Sequence, residues 1–219
     1  MNSKFIKLLK IYIKRHSLLR ILQIRECLNV KLIGNSVEFG AIANKDKTFS
    51  SFFTGKSKFK YSNLKKKNNI VSFDLTKNLN ISKNSFNNVI LFNVMEHLPS
   101  YNKTFSEIYR ITKKGGLFIG STPFLYQVHG APKDYFRFTK QFFEFNLKKN
   151  KFKNIKIKTL GFGPFIASYS LLSSYLKYLP IISDLFLLIS YLLDLFIQLF
   201  VKTNLKEIYP IGIFFSARK

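Results

Sequence analysis

Apolar positions along the chain follow two different periods, and their alternation predicts the fold class. From Asn35 onward, short apolar runs that end in turn residues alternate with stretches in which apolar residues recur every three or four positions. Strands that alternate with helices in this way form parallel sheets whose crossover helices cover both faces. The pattern therefore predicts one α/β domain. The predicted strands are residues 36–40, 59–63, 69–75, 88–94, 117–123, 152–162 and 207–219.

Residues 1–34 precede the first strand and predict a basic amphipathic helical segment. On a helical projection of residues 4–15 the cations share one arc and the apolar side chains share the opposite arc. Such a helix either lies on an anionic membrane or packs its apolar face on the rest of the protein. Lysines interrupt every apolar run here, so we expect no cleavable secretory signal. The cations on that arc are Lys4, Lys7, Lys10, Lys14 and Arg15.

A hydrophobic insert, residues 163–203, separates the last two predicted strands. Residues 181–201 are long enough to span a bilayer, but Ser183, Ser190 and Asp194 fall on one narrow arc of that helix. The strand after the insert must also return to the sheet that the preceding strand joins, which a single crossing would prevent. We therefore predict an amphipathic helical insert. Its apolar face contacts lipid, a second copy of the chain, or the sheet.

The composition excludes a disordered basic tail, but the net charge does not by itself identify a polyanionic partner. Lys and Arg number 36 against 11 Asp and Glu, for a net charge of +25, and 47% of the residues are hydrophobic, which excludes a disordered basic tail. A basic balance favours polyanionic partners. However, the same excess of Lys, with many Asn, Ile and Phe, is typical of an AT-rich genome. The single Cys27 indicates a reducing compartment.

The central block carries four features in a specific order. An acid follows the third strand in Phe73-Asp74-Leu75, Ser-Phe-x-x-Val-Ile precedes the fourth, Glu-His-Leu follows it at 96–98, and Lys-Lys-Gly-Gly at 113–116 precedes the fifth. From about Val37 to Thr139 the chain resembles class I S-adenosylmethionine-dependent methyltransferases, similar to type 11 and to a subgroup associated with glycan gene clusters. The resemblance implies a Rossmann-like sheet with an antiparallel last strand and S-adenosyl-L-methionine as the cofactor.

The resemblance also implies a cofactor site at the carboxyl ends of the strands. Gly40 would let the backbone approach the cofactor, and Asp74 would bind the adenine amino group. Two departures weaken this site, because Ile42 stands where the family usually has a second glycine and Asn63 stands where an acid usually holds the ribose. Asn87 likewise replaces a common Asp. The predicted cofactor-binding residues are Glu38, Gly40, Asn63, Asp74, Asn93 and Glu96.

Residues 124–139, after the fifth strand, are the predicted acceptor region, because loops at this edge of the sheet carry substrate contacts. His129 is the candidate catalytic base, because imidazole is the side chain most often used to take a proton near neutral pH. Asp134, Tyr135 and Arg137 are the candidate substrate-binding residues. Each has a structural alternative: Tyr135 covers the core with Phe136 and Phe138, Arg137 pairs with Asp134, or His129 caps a turn. No metal site is expected, since the three histidines are scattered.

The predicted function is methyl transfer to a small-molecule or lipid-linked glycan acceptor in the cytoplasm, with the protein peripheral on the inner face of the membrane. A homodimer through the C-terminal apolar helices is the alternative use of the insert. An RNA or protein methyltransferase is the second hypothesis, favoured by the charge. It is opposed by the absence from the sequence of an Asn/Asp-Pro-Pro-Tyr/Phe segment, so nucleic acid is not an expected partner. The third is a degenerate, non-catalytic fold that acts as a membrane-associated partner.

Overall fold

A computed structural model describes residues 3–41, 48–63, 70–130 and 133–219, and its centre is a seven-stranded sheet of order β3-β2-β1-β4-β5-β7-β6. Strands β1 to β5 pair in parallel, and β7 lies antiparallel between β5 and β6. The predicted mostly parallel sheet with an antiparallel last strand is confirmed. The strands are β1 Gly34–Phe39, β2 Ser57–Asn63, β3 Ile70–Ser72, β4 Phe86–Phe92, β5 Thr112–Pro123, β6 Lys153–Leu160 and β7 Gly212–Arg218.

Helices cover both faces of the sheet, as the pattern predicts. Because side chains alternate along a strand, β4 sends Val89 and Leu91 to one apolar core and Ile90 and Phe92 to the other. α3 and α4 pack on the first core, and α1, α2, α5 and part of α6 pack on the second. The helices are α1 Ser3–Ile13, α2 Leu18–Cys27, α3 Asn102–Ile111, α4 Lys140–Lys149, α5 Pro164–Leu176, α6 Pro180–Gln198 and α7 Leu205–Ile208.

Three predicted boundaries differ from the structure. The fifth strand begins at Thr112 and not at residue 117, because Thr112 already pairs with Phe86. The last strand begins at Gly212 and not at residue 207, because residues 205–208 form a helical turn capped by the Asn204 side chain. The second strand begins at Ser57 and not at residue 59, because Ser57 already pairs with Gly34 of β1.

The insert forms a helical hairpin, α5–α6, whose second helix has its apolar side outward. α6 buries Ser183, Ser190 and Asp194 against the protein. Its 19 residues have a mean hydropathy of 1.9 and are long and apolar enough to cross a membrane, while 17% of that stretch is buried. β6 and β7 on either side of the hairpin pair with each other, so the chain leaves and rejoins one sheet. The exposed apolar residues of α6 include Ile181, Ile182, Leu185, Leu188, Ile189, Leu192, Leu195 and Phe196.

The N-terminal helix α1 contacts the same hairpin. The Tyr12 hydroxyl donates to Asp184 Oδ1 at 2.5 Å, and the Arg15 guanidinium forms an ion pair with the same carboxylate. Burial and the neighbouring Asp184 raise the pKa of Tyr12 to about 12. Phe5, Leu9 and Ile13 of α1 remain exposed. The basic helix and the apolar helix therefore lie on the same face of the sheet.

Candidate active site

Two cavities meet at the carboxyl ends of β1, β2, β4 and β5, where ligands bind in open parallel sheets. The first, of about 290 Å³, lies at the ends of β1 and β2, and we term it the cofactor cavity. The second, of about 200 Å³, lies between α2 and the segment after β5, and we term it the acceptor cavity. Asn93 and His129 line both. A larger groove of about 740 Å³ between β6 and α6 shares no lining residue with either.

Gly40 ends β1 in a conformation that favours glycine. Its φ is +75°, and a Cβ built on it would lie 2.2 Å from Cγ2 of Val94, far inside contact distance. Gly40 lines the cofactor cavity together with Val94. A side chain at position 40 would therefore displace the wall that β4 contributes to this cavity. The predicted crowding by Ile42 concerns a residue outside the described ranges.

The cofactor cavity has the chemistry that an adenosyl group requires. Phe39, Phe73 and Leu98 give it an apolar wall suited to an adenine ring. The Ser62 hydroxyl lines the same cavity, is buried, and has no hydrogen-bond partner among the described residues, so it is available to a ribose hydroxyl. Asn63 lies beside it, with its amide donating to the Ala41 carbonyl at 3.0 Å. The residues present therefore fit S-adenosylmethionine.

Three predicted cofactor-binding residues do not line this cavity: Glu38, Asp74 and Glu96, the last of which lines the acceptor cavity. The Glu38 carboxylate is buried and accepts the backbone N–H groups of Phe49 and Ser50, each at 2.9 Å. Burial raises its pKa. The Asp74 carboxylate accepts from the hydroxyl and the N–H of Thr76, and these bonds lower its pKa. In the structure Glu38 thus anchors the backbone at residues 49 and 50, and Asp74 caps the turn that contains Thr76.

Asn93 is positioned by a helix that the sequence assigns to the N-terminal segment. Its φ is +52°, a conformation uncommon outside glycine. Gln23 of α2 exchanges two hydrogen bonds with the Asn93 amide, at 2.7 and 3.2 Å, and also donates to Ser121 Oγ at 3.0 Å. Gln23 is fully buried and was not predicted as a site residue. Its signal was one amide within the apolar run Leu-Leu-Arg-Ile-Leu-Gln-Ile.

Glu96 lies in the wall of the acceptor cavity. Its side chain is fully buried, and neither carboxylate oxygen has a hydrogen-bond partner among the described residues. Burial raises the pKa of Glu96 to about 8. A buried acid that no donor satisfies is costly, which sets this residue apart from Glu38.

His97 and His129 lie together, so the prediction that the histidines are scattered is wrong for this pair. Their ring centroids are 5.0 Å apart, and His97 Nε2 is 3.9 Å from Glu96 Oε1. His97 lines the cofactor cavity, while His129 reaches both cavities. Burial lowers the pKa of His97. Glu96 and the two histidines, 32 residues apart in sequence, meet because the segment after β5 folds back over the end of β4.

Two of the predicted substrate-binding residues, Asp134 and Arg137, position the backbone around His129. The Asp134 carboxylate pairs with Arg137 and accepts the backbone N–H of His129 at 3.0 Å, and the Arg137 contact lowers the pKa of Asp134. Arg137 also donates to the Gln127 carbonyl at 3.1 Å. Tyr135 donates its backbone N–H to the Glu96 carbonyl at 2.7 Å, and its ring is 44% exposed. Of the alternatives considered, the structure shows the pairing of Arg137 with Asp134 and the packing of Phe136 and Phe138 on the first apolar core.

Sequence comparison identifies the domain type over part of the chain. Residues 53–120 match the family described as a methyltransferase domain. These residues run from before β2 almost to the end of β5 and include Asn63, Asn93 and Glu96. Over this stretch the chain is similar to a methyltransferase domain. Among curated proteins, none matches the sequence.

Structural comparison gives the fold of the whole chain. Phosphoethanolamine N-methyltransferase 2 of Haemonchus contortus, in complex with S-adenosyl-L-methionine, is 18% identical with a TM-score of 0.57, over 90% of this chain and 52% of that one. This chain therefore spans about half of the nematode protein. A SAM-dependent methyltransferase from Archaeoglobus fulgidus is 13% identical with a TM-score of 0.57 over the full length of both chains. The [4+2]-cyclase SpnF is 11% identical with a TM-score of 0.51, over 91% of this chain and 80% of that one.

The fold is that of a class I methyltransferase, as predicted. The domain match and the methyltransferase structures support the predicted enzyme class and S-adenosylmethionine as the cofactor. The cyclase shows that this fold also serves another reaction. The acceptor must therefore be inferred from the site itself.

Proposed function

We propose that this protein transfers a methyl group from S-adenosylmethionine to a small polar acceptor. The observation that carries the proposal is the meeting of the cofactor and acceptor cavities at Asn93 and His129. S-adenosylmethionine supplies an electrophilic methyl group that an acceptor atom attacks in line. A protein accelerates such a displacement chiefly by aligning the two partners and excluding water, and two cavities with a shared wall provide that alignment.

The residues at the junction have distinct tasks in this proposal. Gln23 fixes Asn93 through two hydrogen bonds, so the end of β4 is a rigid boundary between the two partners. His129 is the group placed to take a proton from an attacking hydroxyl, or from an acceptor ammonium group before the neutral amine attacks, because it reaches both cavities. Asp134 lies 3.5 Å from His129 Nδ1 and holds the loop that carries the imidazole.

The acceptor we favour is the polar head of a lipid-linked glycan. The acceptor cavity is small, about 200 Å³, and is lined mostly by polar side chains, which suits one sugar or a similar head group. A lipid tail would need an apolar surface outside the cavity, and the exposed face of α6 is such a surface. The nematode enzyme, by its name, acts on phosphoethanolamine, which is also small and polar.

Contact with the inner face of the membrane follows from the same proposal. Lys7 and Lys10 of α1 are exposed. Tyr12 and Arg15 connect α1 to α6 through Asp184, so the basic helix lies next to the helix whose apolar face is exposed. A basic helix next to an exposed apolar helix binds anionic bilayers by charge and by burial of apolar area. We accordingly propose a peripheral protein of the cytoplasmic membrane face, with dimerisation through α6 as the alternative outcome.

Calorimetry with S-adenosylmethionine tests the cofactor half of the proposal. We expect micromolar binding that weakens about tenfold in Ser62→Ala, which loses one hydrogen bond. Transfer of radiolabelled methyl groups is then measured with cell-envelope glycan extracts, RNA and total protein as separate acceptors. His129→Gln should lose at least about 100-fold in kcat, and His16→Gln is the matched control. Absence of binding at millimolar cofactor would support the degenerate, non-catalytic fold instead.

Sedimentation with vesicles tests the membrane half. We expect binding to anionic phosphatidylserine vesicles at low salt and little binding to neutral vesicles. Lys7→Gln with Lys10→Gln should weaken binding about tenfold. Lys148→Gln with Lys149→Gln on α4 removes the same charge from the opposite face of the sheet and should leave binding unchanged. A concentration-dependent dimer without vesicle binding would favour the second-copy alternative.

A further inference from the structure

Glu96 is a buried carboxylate for which the described protein offers no donor. The side chain is fully buried, and among the described residues neither oxygen has a hydrogen-bond partner, whereas the buried carboxylate of Asp194 accepts two backbone N–H groups. Folded proteins rarely leave such a group unsatisfied. The carboxylate of Glu96 therefore points to a ligand.

His97 presents a lone pair to the same place. Its Nδ1 is 2.6 Å from the Lys133 carbonyl oxygen, which can only accept a hydrogen bond. Nδ1 therefore carries the ring hydrogen, and Nε2, 3.9 Å from Glu96 Oε1, is the free lone pair of the neutral ring. A histidine that binds a metal ion through one nitrogen typically donates the other N–H to a backbone carbonyl or a carboxylate.

His129 supplies a third donor atom. One potential ligand atom from each of Glu96, His97 and His129 lies within 4.8 Å of the other two. Asp134 Oδ2, 3.5 Å from His129 Nδ1, is placed to orient the ring. Two histidines and a glutamate, with one carbonyl and one carboxylate behind the rings, match the donor set of catalytic zinc sites, which keep a fourth position open.

We propose that Glu96, His97 and His129 bind a divalent transition-metal ion of the zinc class. Bonds of about 2.0–2.2 Å place tetrahedral ligand atoms roughly 3.3–3.6 Å apart. The three donor atoms lie within 4.8 Å of one another, so their separations need to shorten by about 1.5 Å at most, which rotation of the side chains provides.

The location of the three ligands gives the ion a task. Glu96 lines the acceptor cavity, His97 lines the cofactor cavity, and His129 lines both, so the ion lies in the wall between them. Its open position can hold an acceptor oxygen beside the cofactor. This consequence rests on the proposed methyl transfer, whereas metal binding itself does not. With the ion bound, His129 would be a ligand and no longer the base; the ion would acidify the acceptor hydroxyl, whose proton would pass to water as the oxygen takes the methyl group and the cofactor sulfur keeps the bonding electron pair.

Titration of the untagged, full-length protein with Co²⁺ tests the site. We expect visible d–d absorption of a four- or five-coordinate ion that saturates at one equivalent and is displaced by Zn²⁺. His129→Gln and His97→Gln should each weaken Co²⁺ binding by on the order of 100-fold. His16→Gln removes the third histidine of the chain, which lines another cavity, and should change nothing.

Each outcome decides between the metal site and its absence. Weak, non-saturating absorption, or equal losses in His16→Gln and His129→Gln, would overturn the site. If a histidine variant fails to fold, as judged by circular dichroism, Glu96→Gln preserves the shape of the wall and must still weaken binding at least tenfold. Cofactor calorimetry in EDTA is independent of the metal: binding there without a Co²⁺ site refutes the metal alone, and a Co²⁺ site without cofactor binding refutes the methyltransferase alone.

Discussion

α3 and α6 are both amphipathic, but α3 turns its apolar side toward the sheet, whereas α6 turns its polar side toward the protein. α3 buries Phe105, Ile108 and Ile111 and exposes much of its polar side, as helices in water-soluble domains do. α6 buries Ser183, Ser190 and Asp194 and exposes most of its leucines and isoleucines. Apolar burial holds α3 on the sheet, whereas α6 contacts α5 through the hydrogen bonds of Asp194 and Ser183 and through the rings of Tyr169 and Phe186. The difference predicts that the exposed apolar side of α6 contributes little to the stability of the domain.

The largest expected difference is between two truncations of similar size. Ile108→Ala on α3 should lower the free energy of unfolding by about 2–5 kcal/mol, since the side chain is fully buried. Leu192→Ala on α6, where the side chain is 53% exposed, should stay within about 0.5 kcal/mol. Urea unfolding in detergent-free buffer measures both. Equal losses would mean that α6 is packed in the free protein and would contradict the comparison.

Asp194 is the polar contact that orients α6. Its oxygens accept the N–H groups of Phe165 and Ile166 at 3.0 and 2.9 Å, at the first turn of α5. Asp194→Ala should cost about 2–3 kcal/mol, because it leaves two buried donors unpaired. The control is Asp184→Ala, which removes a half-exposed ion pair and should cost about 0–1 kcal/mol. A small loss in Asp194→Ala, measured by the same unfolding assay, would show that apolar contacts position the hairpin after all.

Glu96 differs from Asp194, because the described residues offer its buried carboxylate no hydrogen-bond donor. Without metal, Glu96→Gln should raise the free energy of unfolding at neutral pH by about 1 kcal/mol, because a neutral amide is cheaper to bury than an unpaired acid. Thermal unfolding in EDTA measures this. Destabilisation would indicate that the carboxylate has a partner in solution.

The smallest effect concerns the contact between α1 and α6. The folded-state pKa of Tyr12, about 12, lies above its ordinary value of 10.0. The unfolded chain therefore releases this proton first, and the contribution of Tyr12 to stability falls as the pH rises from 10 to 12. Tyr12→Phe lacks the titrating hydroxyl, so its free energy of unfolding should fall by about 1 kcal/mol less than that of the wild type over this pH range. The difference is small because the ring is partly exposed and solvent screens the interaction. Paired unfolding curves at pH 9 and pH 11 measure it, and parallel curves would refute the contact.

Sequence patterns predicted the strands of the sheet and the polar arc of α6, because the periods of apolar residues reflect burial directly. The antiparallel last strand was predicted only through the resemblance to known methyltransferases. The same resemblance placed Gly40, Asn63 and Asn93 at the cofactor cavity. Both missed Gln23 and the meeting of Glu96 with both histidines. Those contacts join residues far apart in the chain, and no local period records how a loop after β5 folds over the end of β4.

The position of β7 has a consequence for how the protein is made. β7 is the last strand in the chain, yet it fills the gap between β5 and β6, and β6 joins the described sheet through β7. While the ribosome is still synthesising residues 212–218, β6 and the α5–α6 hairpin exist without a completed sheet beneath them. The domain therefore cannot complete its sheet until its most C-terminal strand has left the ribosome, and the outward-facing leucines of α6 belong to a partly folded chain until then.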